Sequence, residues 1–236
     1  MEHLTTYLLD WALLVTLALF CSHCVADSKT GLPNGNLDFL KVLNTSEPLY
    51  LFLWKDYIRS NETCKGYDCM KRTATCEHMQ KKGLGRIEYN HTVSKLEHQK
   101  WVTHDFMGKF ILGHEPPDRM NVYNVSAGRV PHPYISSYCM TLIYNQPETY
   151  NCSVILVSED PSGHCNHSNP KVMASSKCAL YMRGKLDYRV YPPLDCMIPF
   201  NNCSTSRITH MPYSPSCAVD MEIGDDGRGY KGWKYQ

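Results

Sequence analysis

Cysteine carries most of the potential chemistry in this chain, with 12 among 236 residues. A thiol can attack, ligate metal or pair, and spacing and compartment decide among these. Cys21 and Cys24 form a C-x-x-C, the spacing of redox and metal sites, but they fall within an apolar leader. The other ten, from Cys64 to Cys217, are an even number behind that leader, which predicts a disulfide scaffold and an extracellular protein. His164, Cys165 and His167 cluster like metal ligands; a disulfide staple from Cys165 to Cys178 closing that loop accounts for the cysteine better, and no metal is expected.

Other motifs fail in context. Gly227-Arg228-Gly229-Tyr230-Lys231-Gly232 matches a dinucleotide-binding pattern, yet no strand precedes it and no helix follows to cradle a phosphate. Neither H-E-x-x-H nor G-x-S-x-G occurs, so neither a catalytic role nor a cofactor is expected. The Glu77-His78 pair has no partner in sequence and is assigned to solvated surface. N-x-Ser/Thr triplets begin at Asn44, Asn61, Asn90, Asn124 and Asn166, which are expected to carry glycans. They also begin at Asn151 and Asn202, where the middle residue is a cysteine and the site is expected to stay bare.

The leader, residues 1–26, has an apolar core from Trp11 to Phe20 and a small residue, Ala26, before the expected cut, and it reads as a signal peptide. Losing Glu2 and Asp10 raises the formal net charge from +1 to +3. So weak a balance with no basic block excludes nucleic acid as partner, and no lipidation or membrane signal follows. Residues 27–217 are read as one domain with a disulfide-bound tail, and residues 218–236 as a flexible C-terminal extension.

These residues need a frame. Leu37, Leu40 and Leu43 share a helical face after a possible Asn36 cap, giving a short N-terminal helix. Pro48 ends it, and Leu49 to Tyr57 reads as an aromatic-rich strand. Strands at Thr73 to Met79 and Arg86 to Asn90 are predicted to meet in a hairpin at Gly83-Leu84-Gly85. From Trp101 to Leu112, Val102, Phe106, Phe110 and Leu112 share one side and Thr103, Asp105 and Lys109 the other, the alternation of a half-buried strand. Arg119 to Val125, Ser137 to Tyr144, Tyr150 to Ser158 and Cys178 to Arg183 continue at regular spacing. The predicted class is all-β with a short N-terminal helix and a C-terminal helical or tail segment, the strands closing as an eight-stranded up-and-down barrel that removes exposed edges and can hold one small ligand.

Several elements, in order, resemble the tick salivary lipocalins, the histamine-binding-like family. They are the helix ending in Leu43-Asn44-Thr45, the Tyr50-Leu51 strand, Cys69 opening a strand, the Cys152-Ser153-Val154 triplet, Leu180-Tyr181, and the spacing Cys196, Phe200, Cys203, Tyr213, Cys217. The resemblance implies a monomeric barrel secreted in saliva that sequesters a host inflammatory mediator: histamine, serotonin or an eicosanoid. The alternative is a loop-borne binder of a host protein, such as a complement component, or a protease inhibitor. It also implies disulfides from Cys152 to Cys196 and from Cys69 to Cys203 or Cys217.

Amine-binding members of that family resemble Cys-Asp-Val followed by Glu-Leu-Trp, with both acids on the ligand's ammonium group. Here Ser153 and Ala179 stand at the corresponding positions. A buried cation needs a paired charge, so the usual site is disabled unless Asp56, Glu88 or Asp105 replaces it. Trp54, Tyr57, Phe106, Phe110, Tyr144 and Tyr181 are the candidate aromatic walls, serving either an amine or a fatty-acid slot, or plain core. Asn151 would share the face of Ser153 in a regular strand, and a glycan cannot point into a barrel; either the site is bare or a bulge intervenes.

Overall fold

The structure, a computed structural model, describes residues 37–57, 64–113, 115–125, 137–159, 165, 170–184, 186 and 191–217. The expected signal peptide at residues 1–26, the expected extension at 218–236, Asn36, Asn61, Asn166, His164 and His167 lie outside these residues.

Eight strands run up and down around the barrel: β1 (Leu49–Asp56), β3 (His78–Leu84), β4 (Glu88–Glu97), β5 (Lys100–Phe110), β6 (Arg119–Asn124), β7 (Tyr138–Asn145), β8 (Cys152–Ser158) and β9 (Lys177–Arg183). Each pairs antiparallel with the next, and β1 pairs with β9 from Leu49 opposite Arg183 to Asp56 opposite Lys177, which closes the cylinder. Closure removes both sheet edges. Two short strands, β2 (Met70–Arg72) and β10 (Thr209–Met211), pair parallel with each other, and β10 lies along the outer end of β1 with His210 opposite Trp54.

Side chains alternate across the wall. Inside, Leu49, Leu51, Met79, Tyr89, Phe110, Met120, Val122, Met140, Leu142, Ile155, Ala179 and Tyr181 form one apolar cluster. The helix α1 (Phe39–Leu43) plugs its closed end, burying Phe39, Val42 and Leu43. Asp38 caps the helix by accepting from Lys41 N at 3.1 Å. The backbone N–H of Asp38 donates to Asn145 Oδ1 and that of Phe39 to the Pro117 carbonyl, while Arg183 donates to the carbonyls of Lys41 and Val42. Both ends of a helix too short to persist alone are thus satisfied by the barrel.

A second cluster lies outside the wall. Tyr50, Phe52, Leu53, Tyr144, Cys152, Val154, Leu156, Cys178, Leu180 and Met182 face α3 (Leu194–Cys203), which contributes Cys196 and Phe200. This two-sided burial explains why Cys152-Ser153-Val154-Ile155-Leu156-Val157 reads as a continuous apolar run, whereas β4 and β5 alternate. A further one-turn helix, α2 (Pro170–Ala174), precedes β9.

Disulfides bind the outer layer to the wall. Cys152 pairs with Cys196, as the family resemblance implied, and Cys178 pairs with Cys203, both anchoring α3. Cys165 does not pair with Cys178: alternation along β9 turns Cys178 outward to the helix, and Cys165 instead joins Cys139 on β7. Cys69 pairs with neither Cys203 nor Cys217, because the 3₁₀ turn Gly66–Cys69 brings it back to Cys64. Cys217 joins Cys76.

Several local expectations shift or are resolved. Residues 73–77 are not strand: Ala74 and Cys76 have positive φ, and the N–H groups of Thr73 and Cys76 donate to Met211 and Pro212 of the returning tail. The hairpin turn lies at residues 85–87, since β3 runs on through a bulge near Gly83. Leu112 is 73% exposed, because β5 ends at Phe110. Asn151 is exposed although Ser153 is buried; it precedes the first residue of β8, next to Tyr150 at φ 53, so the turn breaks the alternation that would have aimed it inward.

Candidate functional site

The inner apolar cluster stops short of the open end, and there the barrel holds a cavity of about 370 Å³. Its place follows from the inward positions of successive strands. Leu51 and Trp54 come from β1, with a bulge between Leu51 and Leu53 setting their spacing; Val93 and Lys95 come from β4, His104 and Phe106 from β5, Tyr138 from β7, Val157 from β8, and Lys177, Ala179 and Tyr181 from β9. Met79 and Glu77 complete the wall at the entry to β3. The volume lies at the lower end of the range for small-molecule sites.

Trp54, Phe106, Tyr138 and Tyr181 bring four aromatic rings to the wall. Phe106 packs 5.7 Å from both Tyr138 and His91, measured between ring centroids. Trp54 stacks on His210 at 3.7 Å with planes 3° apart, and the Lys177 ammonium sits 4.7 Å from the centre of the Trp54 ring. The short strand β10 thus braces the indole at the rim.

Glu77 supplies an acid to this cavity, half-buried beside these rings. Burial pushes its carboxyl pKa up, against the opposing fields of Lys95 and Lys177. Those ammonium groups also have other partners: Lys95 lies 2.6 Å from Glu97, and Lys177 covers Trp54. The carboxylate in turn raises the pKa of the Tyr138 and Tyr181 phenols, which burial has already raised, so both remain hydrogen-bond donors at neutral pH. A carboxylate, two phenols and two flat apolar faces can receive an ammonium group on an aromatic frame; the lysines at the mouth can also attract an anionic headgroup.

Of the residues singled out in sequence, Trp54, Phe106, Ala179 and Tyr181 line this cavity. The others do not. Phe110 lies at the closed end, 6.4 Å from Phe39. Tyr144 faces outward and donates to Asp195 Oδ2 at 3.1 Å, and Tyr57 packs in the outer cluster. Ser153 points inward but is fully buried opposite Asn145, the residue that holds α1, and so lies below the cavity. Asp105 is ion-paired with Lys82, Glu88 is opposite Lys109 near the closed end, and Asp56 ends β1; none lines the cavity. Glu77 was misassigned to the surface. Its signal was present, since Glu77 and Met79 are two residues apart and share a face on an extended chain. Among the described residues no cluster of His, Cys, Asp or Glu could hold a metal ion, and no helix is long and apolar enough to cross a membrane.

No family model and no curated protein sequence matches the chain. Among solved structures it is similar to AM182 in complex with serotonin, at 13% identity over 75% of this chain and 90% of that one, with a TM-score of 0.44. It is similar to Japanin from Rhipicephalus appendiculatus bound to cholesterol at 12% identity over 71% and 91%, TM-score 0.38. It is also similar to the siderocalin Ex-FABP at 12% identity over 72% and 93%, TM-score 0.41. The closure of the barrel itself follows from the chain's own register, β1 against β9.

Proposed function

We propose that this protein is a secreted salivary lipocalin that sequesters one small host inflammatory mediator, most simply a biogenic amine such as histamine or serotonin. The observation that carries the reading is Glu77 in an aromatic cavity of about 370 Å³. An ammonium group placed there gains a charge-assisted contact in a partly desolvated site, where such contacts are stronger than in water. Trp54 and Phe106 provide flat faces for its ring. Binding of the cation also favours the ionised form of Glu77 that burial opposes. Suppression of host defence is the role that the family resemblance suggests, and the disulfides suit an extracellular life. A role borne only by loops has no need of a cavity, which weighs against the protein-binding alternative.

The mouth lysines, Lys95 and Lys177, favour a second reading, an eicosanoid or other acidic lipid with its carboxylate at the rim. Calorimetric titration of the secreted protein with histamine and serotonin, alongside native mass spectrometry, separates the two. Amine binding that Glu77→Gln weakens supports the first reading. A co-purifying fatty acid with no amine binding overturns it in favour of the second.

A further inference from the structure

A buried polar atom without a partner is destabilising and calls for an explanation. Both ring nitrogens of His91 are in that condition, while Arg183, which also has one unpartnered buried nitrogen, spends its others on backbone carbonyls. His91 is 0% exposed. It lies on the inner face of β4 in the series Tyr89, His91, Val93, Lys95, of which Val93 and Lys95 line the cavity. The imidazole is therefore one step below the cavity wall, roughly 7 Å along the strand from Val93. Phe106, its register partner on β5, itself lines the cavity, and the two stacks on the imidazole are unequal: Tyr89 lies at 4.6 Å with planes 14° apart, Phe106 at 5.7 Å and 21°. The looser stack is the one on the cavity side.

We propose that His91 is the inner polar contact of the cavity and takes the hydroxyl group of a hydroxylated aromatic ligand. This rests on the small-ligand reading and specifies the ligand's far end. A neutral imidazole offers one N–H donor and one bare nitrogen acceptor, and a hydroxyl is the smallest group that answers either. Burial holds the ring in that neutral form, its pKa lowered to about 4; the Tyr89 carbonyl favours protonation slightly without meeting hydrogen-bond geometry at either nitrogen. A carboxylate can answer only the donor, and an ammonium would carry charge into the driest part of the barrel. The parallel planes of Tyr89, His91 and Phe106 favour a flat ring over a flexible chain.

Serotonin and tryptamine differ by one hydroxyl and test this directly. Serotonin should bind at least about tenfold more tightly, and His91→Phe should bring that ratio close to one while leaving tryptamine affinity in place. Equal affinities in the unmodified protein, or a ratio that survives His91→Phe, overturns the proposal. A measurement without substitution runs in parallel: ring-nitrogen NMR of the labelled protein titrated with 5-hydroxyindole and with indole. The hydroxy compound alone should shift the His91 signals, assigned with His91→Gln, and no shift with it overturns the proposal. Should neither amine bind while 5-hydroxyindole still shifts His91, the amine reading fails and the subsite stands.

Discussion

The wall of the barrel separates two cores built on opposite rules. Outside, Phe200, Tyr213 and three disulfides fill the space between β7–β9, β1 and the tail, and three polar pairs tie it together: Tyr144 with Asp195, Tyr213 with the Leu186 carbonyl, Lys55 with Asn201. Inside, an apolar cluster fills the closed end, and toward the mouth it gives way to a cavity edged by Glu77, Lys95 and Lys177, with the unpartnered His91 stacked behind Phe106 of its wall. Covalent and apolar stabilisation is placed away from the cavity. The buried acid and the unpartnered imidazole lie in or beside it, as is expected of sites that trade stability for function.

Breaking the outer core should therefore reduce stability and spare binding. Phe200 is fully buried beneath the Lys55 ammonium, and Phe200→Ala should cost about 3–5 kcal/mol in denaturant unfolding, with ligand affinity at saturating fold unchanged. An equal loss of affinity would show that the two cores are not independent.

Acid should act on the inner core next. The folded-state pKa of His91 is depressed from 6.5 to about 4, so between those values the unfolded chain binds the extra proton. Stability contributed by the neutral ring is present above pH 6.5 and is lost as pH falls toward 4, to the extent of about 3 kcal/mol. His78, depressed by burial, acts in the same direction, and Glu77, raised by burial from 4.5, acts in the opposite one above that value; the neighbouring Tyr89 and Tyr138 phenols do not ionise in this window. Unfolding free energies measured from pH 4 to 7 on His91→Phe should show a flatter profile than the parent. An unchanged slope would remove His91 from the account.

At the mouth, Glu77→Gln should weaken an amine by about ten- to a hundredfold, which corresponds to the 1.5–3 kcal/mol of a charge-assisted contact, and should leave stability nearly unchanged because Glu77 is already disfavoured as an anion. Titration calorimetry and thermal unfolding on the same samples check both halves. The smallest effect belongs to Tyr144→Phe, which removes one bond to Asp195 on the outer face. It should cost about 1 kcal/mol and leave binding untouched. A change in ligand affinity there would return Tyr144 to the list of pocket residues.

Much of this division was legible before the structure. Alternation in β5 placed Val102, Phe106 and Phe110 on one face, and the strand expected from Tyr150 to Ser158 corresponds to β8. Less legible was depth: Phe106 and Phe110 share the face, yet only Phe106 reaches the cavity, since height along the barrel axis depends on where α1 plugs the closed end. Period-two patterning says which way a side chain points and nothing about what fills the space opposite.

The sequence by itself determined the β-class and the disulfide-stapled character, because these depend on local alternation and on cysteine number. Tertiary structure alone decided the partners. Cys178 meets Cys203 rather than Cys165, Ser153 falls below the cavity while Ala179 lines it, and Glu77 comes to face Lys95 and Lys177. Each of these depends on strand register and on how a closing sheet brings distant residues to one height, which local spacing does not encode.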